Sequence, residues 1–234
     1  MENGNLKSIR HYIFIDPNDI YCDITKHDLL NEFKSIHSAQ YTTGEIVKYW
    51  GYNDIALLLK KYDEELYALF LKINHNYPAL LSDLGRFVIL YYYGGVYHDL
   101  KCISESNMKN YLENDIGSNV TFIALGEHNP DDIHTRNIIS LQIKHPLLHS
   151  TLQLMKKKLI EAKDNNYHGG IIAGNSSNII YCGFQPYVDT VLDYCTKNDD
   201  VIKRREGGLY FFHHHIYAKT IARWQTTYEP IFIK

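Results

Sequence analysis

Apolar residues along the chain fall into two periods. His11-Tyr12-Ile13-Phe14-Ile15 is a short apolar run halted by Asp16-Pro17-Asn18-Asp19, which predicts a buried first strand and a turn. From Thr42 to Leu71 the period lengthens, with Ile55, Leu58, Leu59, Tyr62 and Leu66 recurring three and four apart, so a helix is expected. Trp50-Gly51-Tyr52-Asn53-Asp54 reads as its entry, with Asn53 or Asp54 as N-cap. Pro78 opens a second helix at the position where its missing N–H is harmless, and Leu80, Leu84, Phe87, Val88 and Tyr91 give that helix an apolar face. Gly94-Gly95 ends it, and Val96 to Cys102 is expected to follow as one strand. Thr121 to Leu125 is another strand candidate, while Pro146 to Ala162 and Pro186 to Tyr194 read as helices. Helices and strands alternate without a composition break, and the chain of 234 residues reads as a single α/β domain spanning residues 1–234.

Composition then narrows the function classes. Lys plus Arg total 24 against 27 for Asp plus Glu, a net charge of −3, which excludes a nucleic-acid binder resting on bulk positive charge. Cys22, Cys102, Cys182 and Cys195 form no CxxC pair, so free thiols are expected rather than a zinc ribbon or a disulfide framework. Met1 to Arg10 has no apolar core of signal-peptide type, and no apolar run approaches the ~20 residues of a spanning helix, so a cytoplasmic location is expected. No P-loop, GxGxxG or GxSxG occurs.

The candidate chemistry lies in Ser82-Asp83-Leu84-Gly85-Arg86 and Gly94-Gly95-Val96-Tyr97-His98-Asp99-Leu100-Lys101. Asp83 and Arg86 are three apart on the second helix and share a face, and Asp99 falls on the strand beyond it. If that helix docks beside that strand, the three groups converge at the carboxyl end of a strand, where open α/β sheets place ligands. A surface Asp–Arg pair and an unrelated strand-end aspartate satisfy the same spacing.

The segment resembles the sugar-nucleotide-binding signature of DXD-motif glycosyltransferases, and within them glycosyltransferase family 32. The similarity is strong from Tyr77 to Cys102, weaker from Ile9 to Leu71, loose through Asn137 and His145-Pro146-Leu147, and fades after about residue 165. What it implies is a GT-A fold, an α/β/α sandwich with a mostly parallel central sheet, whose donor part covers about 9–125 and whose acceptor and closing part covers about 126–234. It implies hexose transfer from a nucleoside-diphosphate sugar to a glycan acceptor hydroxyl, with retention, as in polysaccharide synthesis. Asp83 would bind the donor sugar, Arg86 sugar or phosphate, Tyr97 the ribose, and Asp99 the ribose or a metal. Trp50 falls near the position of a base-stacking ring, although a core tryptophan fits equally, and Asn137 would line the acceptor pocket.

One position departs from the pattern. Where the family carries a second DXD carboxylate that grips a divalent cation, Mn²⁺ or Mg²⁺, this chain has Lys101. A protonated lysine cannot ligate a cation. Either the Lys101 ammonium itself neutralises the diphosphate, or the metal persists on Asp99 and a C-terminal ligand such as His215. Lost catalysis, leaving a nucleotide-sugar-binding or glycan-binding module, is the third alternative, and a nucleotide-sugar hydrolase a fourth. Phe211-Phe212-His213-His214-His215 places His213 and His215 on one face if it is a strand, where imidazoles can meet phosphate or a cation. Lys219 is a further candidate for a closing segment.

Overall fold

The computed structural model describes residues 6, 8–38, 44–104, 119–126, 129–169, 178–205, 209–211 and 229–233. The central element is a six-stranded sheet of β1 (Ile9–Ile13), β2 (Ile46–Trp50), β3 (Gly95–His98), β5 (Phe122–Gly126), β6 (Ile133–Ser140) and β7 (Val201–Arg205). Their order is β2-β1-β3-β6-β5-β7. All pairs are parallel except those of β6, which runs against β3 and β5. Because β6 is reversed, its first residues lie beside the carboxyl end of β3. Two short strands, β4 (Cys102–Ser104) and β8 (Leu209–Phe211), pair antiparallel in a separate ribbon.

One face of the sheet is covered by α2 (Tyr52–Tyr62), α3 (Glu64–Phe70), α4 (Pro78–Tyr93), α5 (Pro146–Asp164), α6 (Asn178–Cys182) and α7 (Phe184–Cys195). Ile13, Tyr97, Ala124 and Ile138 meet Leu81, Leu84, Val88 and Leu148 there in one continuous core. On the opposite face α1 (Asp28–Ser38) lays Leu30 and Phe33 against Tyr12, Phe14 and Leu100. The α/β/α layering is that of the GT-A type.

Local chemistry explains the elements that matter for the site. Pro78 occupies the first turn of α4, and the Gly94 N–H closes its end on the Leu90 carbonyl. Gly94 and Gly95 take φ of 59° and 89°, left-handed values that turn the chain from α4 straight into β3. A Cβ on Gly95 would also sit 2.8 Å from the Ile9 carbonyl oxygen.

Several expected boundaries move. The single helix expected over Thr42 to Leu71 is a strand followed by two helices, since Ile46–Trp50 pairs along the whole of β1. Gly51, not Asn53 or Asp54, is the N-cap of α2, and Asp54 accepts the Gly51 N–H at 2.9 Å. Asp63 divides α2 from α3 by accepting the Leu66 N–H on its side chain. The strand expected from Val96 to Cys102 breaks after His98, because Cys102 N–H returns to the Asp99 carbonyl and closes a turn. Helix α1 and strands β6 and β7 occupy stretches where the pattern alone named no element. The four cysteines are free thiols.

Three buried histidines hold layers together as neutral rings. His11 donates to the Gly94 carbonyl at 2.9 Å and accepts from the Trp50 indole N–H at 3.1 Å. His98 lies beneath the sheet against Asn137 Oδ1, and His37 bridges α1 to the far side of the sheet. Burial lowers their pKa values to about 4 for His11, about 3 for His98 and about 4 for His37. Protons therefore bind the unfolded chain first, so their contribution is intact above pH ~6.5 and is lost as pH falls toward ~4. The melting temperature is expected to decline continuously across that window in a pH series of thermal scans. A flat profile would show these rings to be charged or solvated in the fold.

Candidate functional site

At the carboxyl edge of β3, the buried α4 helix presents Asp83 and Arg86 toward the end of the strand. Arg86 Nη2 lies 3.1 Å from Asp83 Oδ1 and 3.5 Å from Asp99 Oδ1, so one guanidinium bridges a helix carboxylate and a strand-end carboxylate. Its Nε donates to the Ser82 carbonyl at 3.3 Å and its Nη1 to the Thr135 carbonyl at the start of β6. The Arg86 Cζ stands 4.8 Å from the centre of the Tyr97 ring, and the Tyr97 hydroxyl donates to Asp99 Oδ1 at 2.9 Å. The backbone completes the frame, with Asp99 N–H on the Arg136 carbonyl at 2.7 Å.

Electrostatics follow from burial. Asp83 and Arg86 are only 7% and 5% exposed. Desolvation pushes the Asp83 carboxyl up to about 6, against the pull of Arg86 toward ionisation. The Arg86 guanidinium is held firmly in its charged form: Tyr97, Asp83 and Asp99 together outweigh the desolvation that opposes it. Both ion pairs use Oδ1, and of the two Oδ2 oxygens that of Asp83 packs against Gly183, while that of the less buried Asp99 can turn to a hydroxyl of a ligand.

Asp83, Arg86, Tyr97 and Asp99 are thus one cluster, and Lys101 follows in the turn that leaves it. Trp50 and Asn137 lie elsewhere. The Trp50 indole is engaged by His11 and by Tyr93, 5.1 Å between ring centroids. Tyr93 is ten residues along α4 from Asp83, about 15 Å at the helical rise. Asn137 is fully buried on the opposite face of the sheet, against His98. His213, His215 and Lys219 lie outside the described residues.

The C-terminal part adds residues that the spacing did not suggest. Thr135 contributes only a carbonyl, which any residue type supplies. Gly183, the N-cap of α7, comes so close to Asp83 that a Cβ there would lie 2.2 Å from Oδ2. Its glycine is a matter of close approach, since its φ of −99° is open to any residue. A second polar group, Thr121, His145 and Asp200, has the residue types of a catalytic triad but not its chemistry. His145 Nδ1 accepts the Leu147 N–H as the cap of α5, so Nε2 carries the proton and cannot take one from Thr121, 2.9 Å away.

DXD glycosyltransferases hold a divalent cation with two carboxylates. In this chain Asp99 Oδ1 is already committed to Arg86 and Tyr97, and the second position is an ammonium group. Among the described residues no three His, Cys, Asp or Glu side chains converge as ligands. Among the described residues this donor set does not by itself fit a divalent cation, and His215, the other candidate ligand, lies outside them.

The sheet and its two helical layers have the architecture of a GT-A fold. Residues 17–123 match the family described as glycosyltransferase sugar-binding region containing DXD motif. No curated protein sequence matches the chain significantly. Among solved structures its fold is similar to that of PaToxG glycosyltransferase, with a TM-score of 0.51 and 14% identity over 82% of this chain and 70% of that one. The family match covers a little under half of the chain, and its residues 17–123 carry the DXD sugar-binding region on a GT-A-like fold. Among the described residues no helix is long and apolar enough to cross a membrane.

The contact of Gly183 with Asp83 is open to a double-mutant cycle. Gly183→Ala is expected to lower stability by about 1–3 kcal/mol in denaturant unfolding, the usual range for overpacking a tight site. Combined with Asp83→Ala, the cost should shrink, because the oxygen that the methyl meets is gone. Strict additivity would mean that the two residues do not crowd each other.

Proposed function

We propose that this protein transfers a hexose from a nucleoside-diphosphate sugar to a hydroxyl of a sugar acceptor, with retention of configuration, in glycan or polysaccharide synthesis. The observation that carries the reading is the buried Asp83–Arg86–Asp99 bridge over Tyr97 at the carboxyl edge of the sheet. Two carboxylates held together at the carboxyl edge of the sheet suit the hydroxyls of a sugar ring, each acceptor oxygen fixing one donor. Arg86 sets their spacing and can share a remaining N–H with ligand oxygens.

Departure of the diphosphate needs positive charge at the breaking bond. Lys101 is assigned that role, and no step is assigned to a metal. The motif residues Asp83, Arg86, Asp99 and Lys101 carry two negative and two positive formal charges, so the diphosphate would enter a cluster without net repulsion. Asp83 and Asp99 orient the sugar, and Tyr97 holds Asp99 and packs against the ribose side. The donor part is read as residues 9–125, with the acceptor and closing part at 126–234. The closing part reaches the donor site through the Thr135 carbonyl and Gly183. Asn137, His213, His215 and Lys219 are assigned no step.

The test is calorimetric binding of a panel of nucleoside diphosphates and their sugars, once with Mn²⁺ and once with EDTA. Binding is expected to survive EDTA and to weaken at least tenfold in Asp99→Ala. In Lys101→Asp, binding in EDTA is expected to disappear. Binding that requires Mn²⁺ would return the charge to a metal and make Asp99 its ligand. Donor binding without turnover on any sugar acceptor would favour a binding module, and release of free sugar indifferent to acceptor a hydrolase.

A further inference from the structure

We propose that His37 is a positioning residue for the donor site, acting from the far side of the sheet through the carbonyl of Leu100. The proposal rests on the reading that the Asp99-Leu100-Lys101 turn grips the donor.

Leu100 is the middle residue of that turn and the only one of the three directed into the core. Its side chain is 2% exposed and packs with Tyr12, Phe14, Leu30 and Phe33 in the layer between α1 and the sheet. Its carbonyl is held by the same layer. His37, 63 positions earlier on α1, donates Nε2–H to the Leu100 oxygen at 2.9 Å. The other ring nitrogen is also fixed, since the Tyr49 hydroxyl donates to Nδ1 at 3.0 Å. These two bonds define one tautomer and one orientation. The ring is stacked on Tyr12, with centroids 4.1 Å apart and planes 18° apart, so it cannot tilt without losing that contact. Asp99 and Lys101 flank Leu100, and a turn pinned at its centre has its flanks set in direction.

Other ties of the turn include Asp99 N–H to the Arg136 carbonyl at 2.7 Å, Cys102 N–H to the Asp99 carbonyl at 2.8 Å, and Tyr97 and Arg86 on the Asp99 carboxylate, none of them made by the Leu100 carbonyl. None of these fixes the peptide after Leu100. Without His37, the Leu100 carbonyl loses its bond in a buried layer, and the turn can relieve the loss by rotating that peptide. Rotation there swings Lys101 relative to Asp99. A core histidine that only filled space would need neither nitrogen in a directed bond.

Three variants separate positioning from stability. His37→Phe keeps a ring on Tyr12 but removes both hydrogen bonds. His37→Gln restores an amide N–H near the Nε2 position. Phe33→Leu loosens the same layer, including its packing on Leu100, but leaves both His37 hydrogen bonds in place. Two readouts are taken on the full chain well below its melting temperature: amide exchange at Cys102, which needs no ligand, and calorimetric affinity for UDP-glucose and GDP-mannose in EDTA. His37→Phe is expected to speed Cys102 exchange and to weaken donor binding, each about tenfold. His37→Gln should recover most of both, and Phe33→Leu should change neither by more than about twofold. Unchanged Cys102 exchange in His37→Phe, or an equal effect of Phe33→Leu, would overturn the positioning role. Faster exchange with unaltered donor affinity, or no donor binding by the unsubstituted chain, would overturn the link to donor binding. That second result places the fault in the assignment of the turn and not in the bond from His37.

Discussion

A buried guanidinium between two carboxylates is the constraint from which the site is built. Asp83 comes from a helix and Asp99 from the end of a strand, and the Arg86 charge favours the ionised form of the buried Asp83 against its desolvation. The net stabilisation from such a bridge is small, because desolvation consumes most of the attraction. Its value is geometric. Five donors in a rigid fork fix the distance between α4 and the end of β3, and the Thr135 carbonyl ties β6 to the same group. Losing Arg86 would leave two like charges facing each other, a far greater cost than losing an exposed pair.

The same economy of charge appears on both faces of the sheet. His11, His37 and His98 all work as neutral rings, each with a nitrogen directed at a carbonyl or amide oxygen. Burial keeps them unprotonated, which lets one side chain bind a donor and an acceptor at once. His11 joins β1, the end of α4 and Trp50, while His37 joins α1, β2 and the turn after β3. Both faces of the sheet therefore converge on the short segment from Gly94 to Lys101.

On the proposed reading, Lys101 stands where the family's motif has its last carboxylate. A cation between two carboxylates would add two charges to a site, whereas a lysine replaces one negative charge by one positive. The balance at the motif is then met by the polypeptide, and Asp99 is free to serve Arg86 and Tyr97. On that reading the site depends on holding one flexible side chain in direction, so the stiffness of its turn matters.

Local pattern was enough for the parts of the protein ruled by neighbouring residues. Pro78, the apolar stripe from Leu80 to Tyr91 and the Gly94-Gly95 stop determine α4 through propensity and capping, which act over a few residues. The resemblance carried by Asp83, Arg86, Tyr97 and Asp99 was legible because those residues lie within seventeen positions of sequence. Tertiary structure alone decided the rest. Ile46–Trp50 is a strand because β1 stands beside it, although the apolar period downstream of it is helical. Trp50 serves His11 and Tyr93 because the sheet edge turns it there. Thr135, Gly183 and His37 reach the site by backbone direction, close approach and a bond across the sheet. None of those three depends on a residue pattern, because each is a relation between distant segments that exists only once the layers have packed.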